Sequence, residues 1–242
     1  MSTPADIDRE LLKSRLDEVE ARIGAACERA GRERAEVTLI AVSKTHPIEA
    51  IEALAELGVS DFGESYVQEW QEKAGELEDS VRWHFIGGLQ SNKARFVAGE
   101  VALIHSVDRK SLVKALARRT DEPVDVLLQV NISGEDSKGG VEPEALNDFY
   151  ASVVARQELR VRGVMGMAPY AEDPEDARPY FRRLRELYEG LVAYAQHHAP
   201  QRAGELREIS MGMSGDFEVA IEEGATLIRV GSALFGERNY DA

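Results

Sequence analysis

The sequence predicts a (β/α)8 barrel, an α/β fold, with one extra helix at its amino end. Three observations carry that expectation. Eight short aliphatic or β-branched runs alternate with helix-like segments, which implies parallel strands and right-handed crossovers. The connections are short, and no linker long enough to divide the chain is visible. The 242 residues, 43% hydrophobic, suit one large core of the size that such barrels reach. One domain over residues 1–242 is expected, with the extra helix at about 7–30 and the barrel at about 37–236. A doubly wound open sheet competes, but no glycine-rich dinucleotide fingerprint follows the first strand.

Each element has its own signal. From Ile7 to Ala30, Leu11, Leu12, Leu16, Val19, Ile23 and Ala26 recur at helical spacing, and Gly31 is a stop. Val37–Val42 reads as the first strand. Pro47–Leu57 reads as a helix with proline in its first turn and Gly58 beyond its end. Val59–Gly63 is the second strand, before a helix through Val67, Trp70 and Leu77. Trp83–Ile86 is the third, before a helix at Ser91–Val97. Ala102–Val107 is the fourth, with Asp108 as the expected cap of a helix over Arg109–Arg119. Val124–Ile132 is the fifth and the most strand-like run, before a helix over Pro143–Arg156. Arg160–Val164 is the sixth, before a long helix over Asp176–His197. Leu206–Ser210 and a short helix at Phe217–Glu223 precede the last strand, Leu227–Val230. A helical turn at Ala233–Phe235 closes the series.

Composition narrows the function classes. The net charge of -15 argues against a nucleic-acid or anionic-membrane partner. Cys27 is the single cysteine, so no disulfide framework exists and a reducing, cytoplasmic setting is expected. The polar, acidic start is unlike a targeting signal, and no apolar run approaches the roughly 20 residues that span a bilayer. His46, His84, His105, His197 and His198 form no HExxH pattern and no CxxC is present, so no metal is expected. His197 and His198 fit a helix end, where a positive charge complements the dipole. Lys138, in "DSKGG", reads as an exposed loop residue or part of a lid.

A barrel collects functional residues at the carboxyl ends of its strands. Here those ends include Ser43 and Lys44, Gly63–Ser65, Gly87–Gly88, His105–Ser106, Asn131, Met165, Ser210–Ser214 and Arg229–Ser232. The runs "SMGMSGD" and "RVGSALFG" after the last two strands combine glycine with serine before short helical segments. Glycine lets backbone approach a ligand, exposed N–H groups favour an anion, and barrels often place a phosphate there. Simple turn chemistry is the plainer reading of either loop alone. Lys44 is either a lysine reaching outward from the core edge or a reactive amine. Arg229 is either half of a structural ion pair or a ligand contact inside the mouth. An amine, a phosphate cradle and a fixed cation together suit pyridoxal 5'-phosphate (PLP), which carries an aldehyde, a phosphate and a ring nitrogen. A cation beside that nitrogen opposes its protonation and weakens the cofactor as an electron sink.

The runs "AVSKTHP", "FGESYVQE", "WHFIGGLQSNK", "HSVD", "LLQVNISGEDSKGG", "SMGMSGDFEVAI" and "IRVGSALFG", in this order from about Leu11 to Gly236, resemble the pyridoxal-phosphate homeostasis proteins. These are one-domain relatives of the alanine racemase N-terminal barrel. The resemblance implies a PLP site in which Lys44 forms a Schiff base and Arg229 faces the pyridine nitrogen. Gly231 and Ser232 would form one half of the phosphate site; Ser210, Met211, Gly212 and Ser214 would form the other. Met165 stands in the matching place after strand six. Ser65 replaces the usual asparagine and is shorter, and Gly88 replaces the usual histidine or proline. What the resemblance implies is a non-catalytic protein that holds PLP, maintains its supply and amino-acid balance, and hands it to PLP-dependent apo-enzymes. A racemase is the alternative, as is a Schiff-base aldolase or lyase of the same barrel class that binds no PLP. Racemases of this relationship carry a second domain that supplies a catalytic tyrosine across a dimer. No such domain follows strand eight here, so a monomer without racemase chemistry is expected.

Overall fold

The computed structural model describes residues 7–77, 81–118, 122–135 and 139–236. Helix α1 (Arg9–Ala30) precedes β1 (Thr38–Val42), α2 (Ile48–Glu56), β2 (Asp61–Glu64), α3 (Val67–Glu76) and β3 (Arg82–Phe85). Then come β4 (Leu103–Val107), α4 (Lys110–Leu116), β5 (Val124–Gln129), α5 (Leu146–Val154) and β6 (Leu159–Met165). Helices α6 (Arg178–His198) and α7 (Pro200–Ala203), β7 (Glu208–Ser210), α8 (Phe217–Glu222), β8 (Leu227–Val230) and α9 (Ser232–Phe235) complete the order. The eight strands close in sequence order, all parallel, with β8 against β1 in the register Ile40 to Arg229.

Alternation along the strands makes two separate cores. Leu39 and Ala41 join the large core between strands and helices, while Ile40 joins a small inner cluster with Leu103, Leu127, Met165 and Leu227. The barrel interior is only partly apolar. Asp61, His84, His105, Gln129, Ser210 and Arg229 are also buried.

Helix α1 straps the outside of the barrel. Asp8 caps it by accepting from Leu11 N–H at 2.9 Å, and Gly31 ends it at φ 65°, a left-handed conformation that glycine adopts without steric cost. Its stripe of Leu12, Leu16, Val19, Ile23, Ala26 and Cys27 is buried. Leu11, expected on that stripe, is 44% exposed, because it sits one position off the face that Leu12 and Leu16 define. Arg22 clamps Glu218 of α8 through two bonds of 2.7 and 2.9 Å.

Several expected helices change form. The one at Ser91–Val97 is reduced to a 3-10 turn at Ala94–Phe96. Ala94 and Val97, both fully buried, are three apart, the spacing that a 3-10 turn eclipses. Asp108 does not cap α4: its carboxylate receives Arg109 Nη1 at 2.6 Å, and Arg109 itself takes the cap position. The helices expected from Pro143 and Asp176 open with 3-10 turns at Pro143–Ala145 and Pro174–Ala177. Strand β5 stops at Gln129, short of the expected Ile132; Val130 still donates to the Met165 carbonyl at 2.8 Å and also bridges Val141. Strand β7 has only three residues, and α7 has no counterpart in the expected order. Among the described residues no helix is long and apolar enough to cross a membrane, and none form a metal-binding cluster. Lys138 and its lid reading lie outside the described residues.

Candidate functional site

The strand ends surround a cavity of about 470 Å³ at the mouth of the barrel. Lys44, Ser65, Ser214, Arg229, Gly231 and Ser232 all line it. Most of the remaining wall is apolar, from Val42, Ile86, Met167, Pro169 and Met213.

Lys44 is placed by an unusual turn. Thr45, a β-branched residue, has φ 67°, a conformation that such residues rarely adopt. The turn is held by charge. Glu69 of α3 accepts the Thr45 backbone N–H and also receives Lys73 Nζ at 2.7 Å. Lys73 reaches back to the Ser43 carbonyl at 2.8 Å and to Glu64 Oε1 at 2.7 Å, and Ser43 Oγ donates to the same Glu64 oxygen at 2.7 Å. Both residues before and after Lys44 are thus tied to one buried cluster. Glu64 is fully buried at the end of β2; burial pushes its carboxyl above the ordinary range, against the pull of Lys73 and Ser43.

Across the mouth, Arg229 comes from β8. It is 95% out of solvent, and burial pushes its guanidinium down to about 10, with Asp216 opposing. Among the described residues it forms no ion pair with a carboxylate. Instead Nη1 donates to Ser210 Oγ at 2.6 Å and Nη2 to the Gly166 carbonyl at 3.2 Å. Behind it the polar contacts continue. Ser210 Oγ meets His105 Nδ1 at 2.9 Å, His105 Nε2 meets His84 Nδ1 at 3.0 Å, and His84 Nε2 meets Asp61 at 2.8 Å.

The loops after β7 and β8 meet at one hydroxyl. Ser214 Oγ accepts from Gly231 N–H at 3.1 Å and Ala233 N–H at 3.3 Å. Asp216 caps the turn before it by accepting from Met213 N–H at 2.6 Å. Gly212 has φ 89°, and a Cβ there would lie 2.6 Å from the Ala220 side chain, so only glycine lets the loop pass α8.

Not all the expected site residues reach the cavity wall. Ser210 is fully buried one contact behind Arg229. Met211 is fully buried in the large core, Met165 belongs to the inner cluster, and Gly212 shapes the loop. Gly88 is exposed and does not line the cavity. Sequence reading missed the Lys73 cluster, although Glu69 and Lys73 stand at helical i,i+4 spacing. It placed His105 among the mouth residues but missed its pairing with His84 inside the barrel, whose signal was the period of two in "RWHF" and "LIHSV".

The chain matches the model of the alanine racemase N-terminal domain over residues 15–239. A pyridoxal phosphate homeostasis protein of Aquifex aeolicus is 46% identical over 230 residues, covering 93% of this chain and 98% of that one. The structure of PipY from Synechococcus elongatus with PLP bound is 35% identical and superposes with a TM-score of 0.73, covering 90% of this chain and all of that one. Alanine racemase of Corynebacterium glutamicum, at 16% identity and a TM-score of 0.67, shares the fold over 61% of its own length.

Proposed function

The chain belongs to the alanine racemase N-terminal domain family, among the pyridoxal phosphate homeostasis proteins, and on that premise we propose that it binds and holds PLP at the barrel mouth. One observation carries the reading: Lys44 after β1, Ser214 in the loop after β7, and Arg229 and Ser232 from β8 and its loop line one cavity. That donor set fits the cofactor. Lys44 supplies the amine that captures the aldehyde carbon reversibly. The Ser214 and Ser232 hydroxyls, beside Gly231, suit a phosphate. Arg229 has no acceptor to offer, so it can only donate to a ring nitrogen and so disfavours its protonation. Bound PLP supplies an electrophilic aldehyde and a conjugated ring.

A holding role suits these residues better than turnover. Racemisation needs a proton donor and a proton acceptor on opposite faces of one carbon. Among the described residues, the titratable ones lining the cavity besides Lys44 and Arg229 are Tyr170 and Asp216. Tyr170 is 92% exposed, and Asp216 is engaged in capping its own turn. Storage inside the cell, as a monomer that passes PLP to apo-enzymes, is the finer reading. Ser210, Met211, Gly212 and Met165 then act from behind the wall, shaping it rather than touching the ligand.

Absorbance decides. Purified protein titrated with PLP should gain a visible band, and Lys44→Ala should lack it. Protein that stays colourless and takes up no PLP would sink the reading. Turnover of alanine by the purified protein would sink the holding role alone.

A further inference from the structure

Five residues from five strands form one hydrogen-bonded line through the barrel. Asp61 opens β2 at the amino-end rim, and Arg229 lies near the mouth. His84, His105 and Ser210 connect them. The two ends fix the direction of every proton between them. A guanidinium has only donors, so Ser210 Oγ accepts from Arg229. Asp61 is the other end. Its burial opposes ionisation, but bonds from His84 and Ser60, with the charge of Arg82, hold its carboxyl below the ordinary range. An ionised carboxylate only accepts, so His84 Nε2 carries a proton and donates to it. Ser210 is fully buried, and among the described residues His105 Nδ1 is the acceptor that its hydroxyl proton meets, so His105 carries its proton on Nε2 and donates it to His84 Nδ1. His105 is fully buried between His84 and Arg229, and burial foremost pushes it well below its ordinary value, in keeping with a neutral ring.

We propose that Asp61, His84 and His105 are positioning residues that turn the Ser210 hydroxyl away from the mouth and thereby fix how Arg229 is presented to a ligand there. This rests on the reading of Arg229 as the ring-nitrogen contact. All three protons between Ser210 and Asp61 point toward Asp61. With its proton used inward, Ser210 offers Arg229 a lone pair and cannot donate into the cavity. The guanidinium is held from behind by Ser210 and Gly166, and its remaining N–H groups are those available to the mouth. Were the line reversed, His105 Nδ1–H would donate to Ser210, and the buried hydroxyl proton would be left beside Arg229 without an acceptor.

Nuclear magnetic resonance of the full chain carrying isotope-labelled histidine reads the ring tautomers, first without ligand and then with added PLP. Both His84 and His105 should be neutral with the proton on Nε2. A proton on His105 Nδ1 in the wild-type protein overturns the proposal. Asp61→Asn can face His84 with either an acceptor or a donor, so it removes the direction without removing the contact. In that variant His105 should show mixed tautomers, the band of bound PLP should shift, and PLP affinity should fall about tenfold. Asp61→Glu should restore the wild-type tautomers and band. An unchanged His105 tautomer or an unchanged band in folded Asp61→Asn overturns the proposal. Ser210→Ala cuts the line at its other end and should shift the band likewise; an unmoved band there overturns it even if Asp61→Asn does not fold. If wild-type protein takes up no PLP, the binding reading fails whatever the tautomers are. If it takes up PLP with the wrong tautomers, only the positioning role fails.

Discussion

Lys44 was legible as an oddity, a lysine at the end of an apolar strand, but its support was not. That support is Lys73, in the last turn of α3 and 95% buried. It holds Glu64, Glu69 and the Ser43 carbonyl together. A lone charge in such a place is costly, whereas a paired one is tolerated. Lys73→Met should therefore destabilise strongly, by about 3–5 kcal/mol, because Glu64 is left buried without its partner. Adding Glu64→Gln should recover a large part of that loss. Urea unfolding of the three variants measures both. A single-variant cost below about 1 kcal/mol would mean that the cluster is not needed to hold the turn at Lys44 and Thr45. Sequence could flag the Glu69–Lys73 spacing, but not that Glu64, on another element, closes the cluster. That closure depends on β2 lying beside β1, a long-range fact.

At the scale of elements, strands were the more legible half. Leu227–Val230 is read to the residue, and each strand run is found, because a barrel strand covered on both sides declares itself as a short aliphatic block. Helices on the rim were less legible. Ser91–Val97 and the proline-led starts of α5 and α6 have helix-forming composition, yet their first turns tighten to 3-10 form to suit the packing. Helix α8 has only six residues and borrows its stability from its neighbours. Arg178 of α6 donates to Glu222 at 2.6 Å and Glu223 at 3.1 Å, Arg182 reaches Glu223 at 2.9 Å, and Arg29 of α1 reaches Glu222 at 2.6 Å. Arg178→Ala removes the member shared by both glutamates. Its cost should be about 1–2 kcal/mol, more than a single surface pair gives. Hydrogen exchange should quicken in Phe217–Glu222 before it does in the barrel strands. Exchange that rises equally everywhere would argue that α8 has no local dependence on this clamp. The loops after β7 and β8 were singled out from glycine and serine alone, since glycine at φ 89° and a serine hydroxyl facing two amides leave local marks.

The molecule as a whole carries its titratable groups in two populations, and together they set its response to acid. Asp61, Glu222 and Glu223 are held below the ordinary carboxylate range; burial opposes this in each case, and hydrogen bonds from His84, Arg178 and Arg182 outweigh it. Their contribution is present above the unfolded carboxylate values and is lost as pH falls through the folded ones, below about 4. Glu64 and Asp216 go the other way. Burial raises both, so the folded protein takes up their protons first and is favoured by mild acid. His105 opposes them in that same mild range. Its folded value lies well below 6.5, chiefly through burial. Below about 6.5 the unfolded chain binds a proton at His105 that the folded chain refuses, so stability falls with pH by up to about 1.4 kcal/mol per unit. Because Glu64 and Asp216 mask that slope, the difference between wild type and His105→Gln isolates it. Between about pH 6.5 and 5 the wild type should lose stability relative to the variant, and the two should run parallel above about pH 7. Urea midpoints across that range give the comparison. Parallel curves throughout would mean that His105 takes up its proton in the folded barrel as it does unfolded, and it would then donate to Ser210, reversing that one bond of the line.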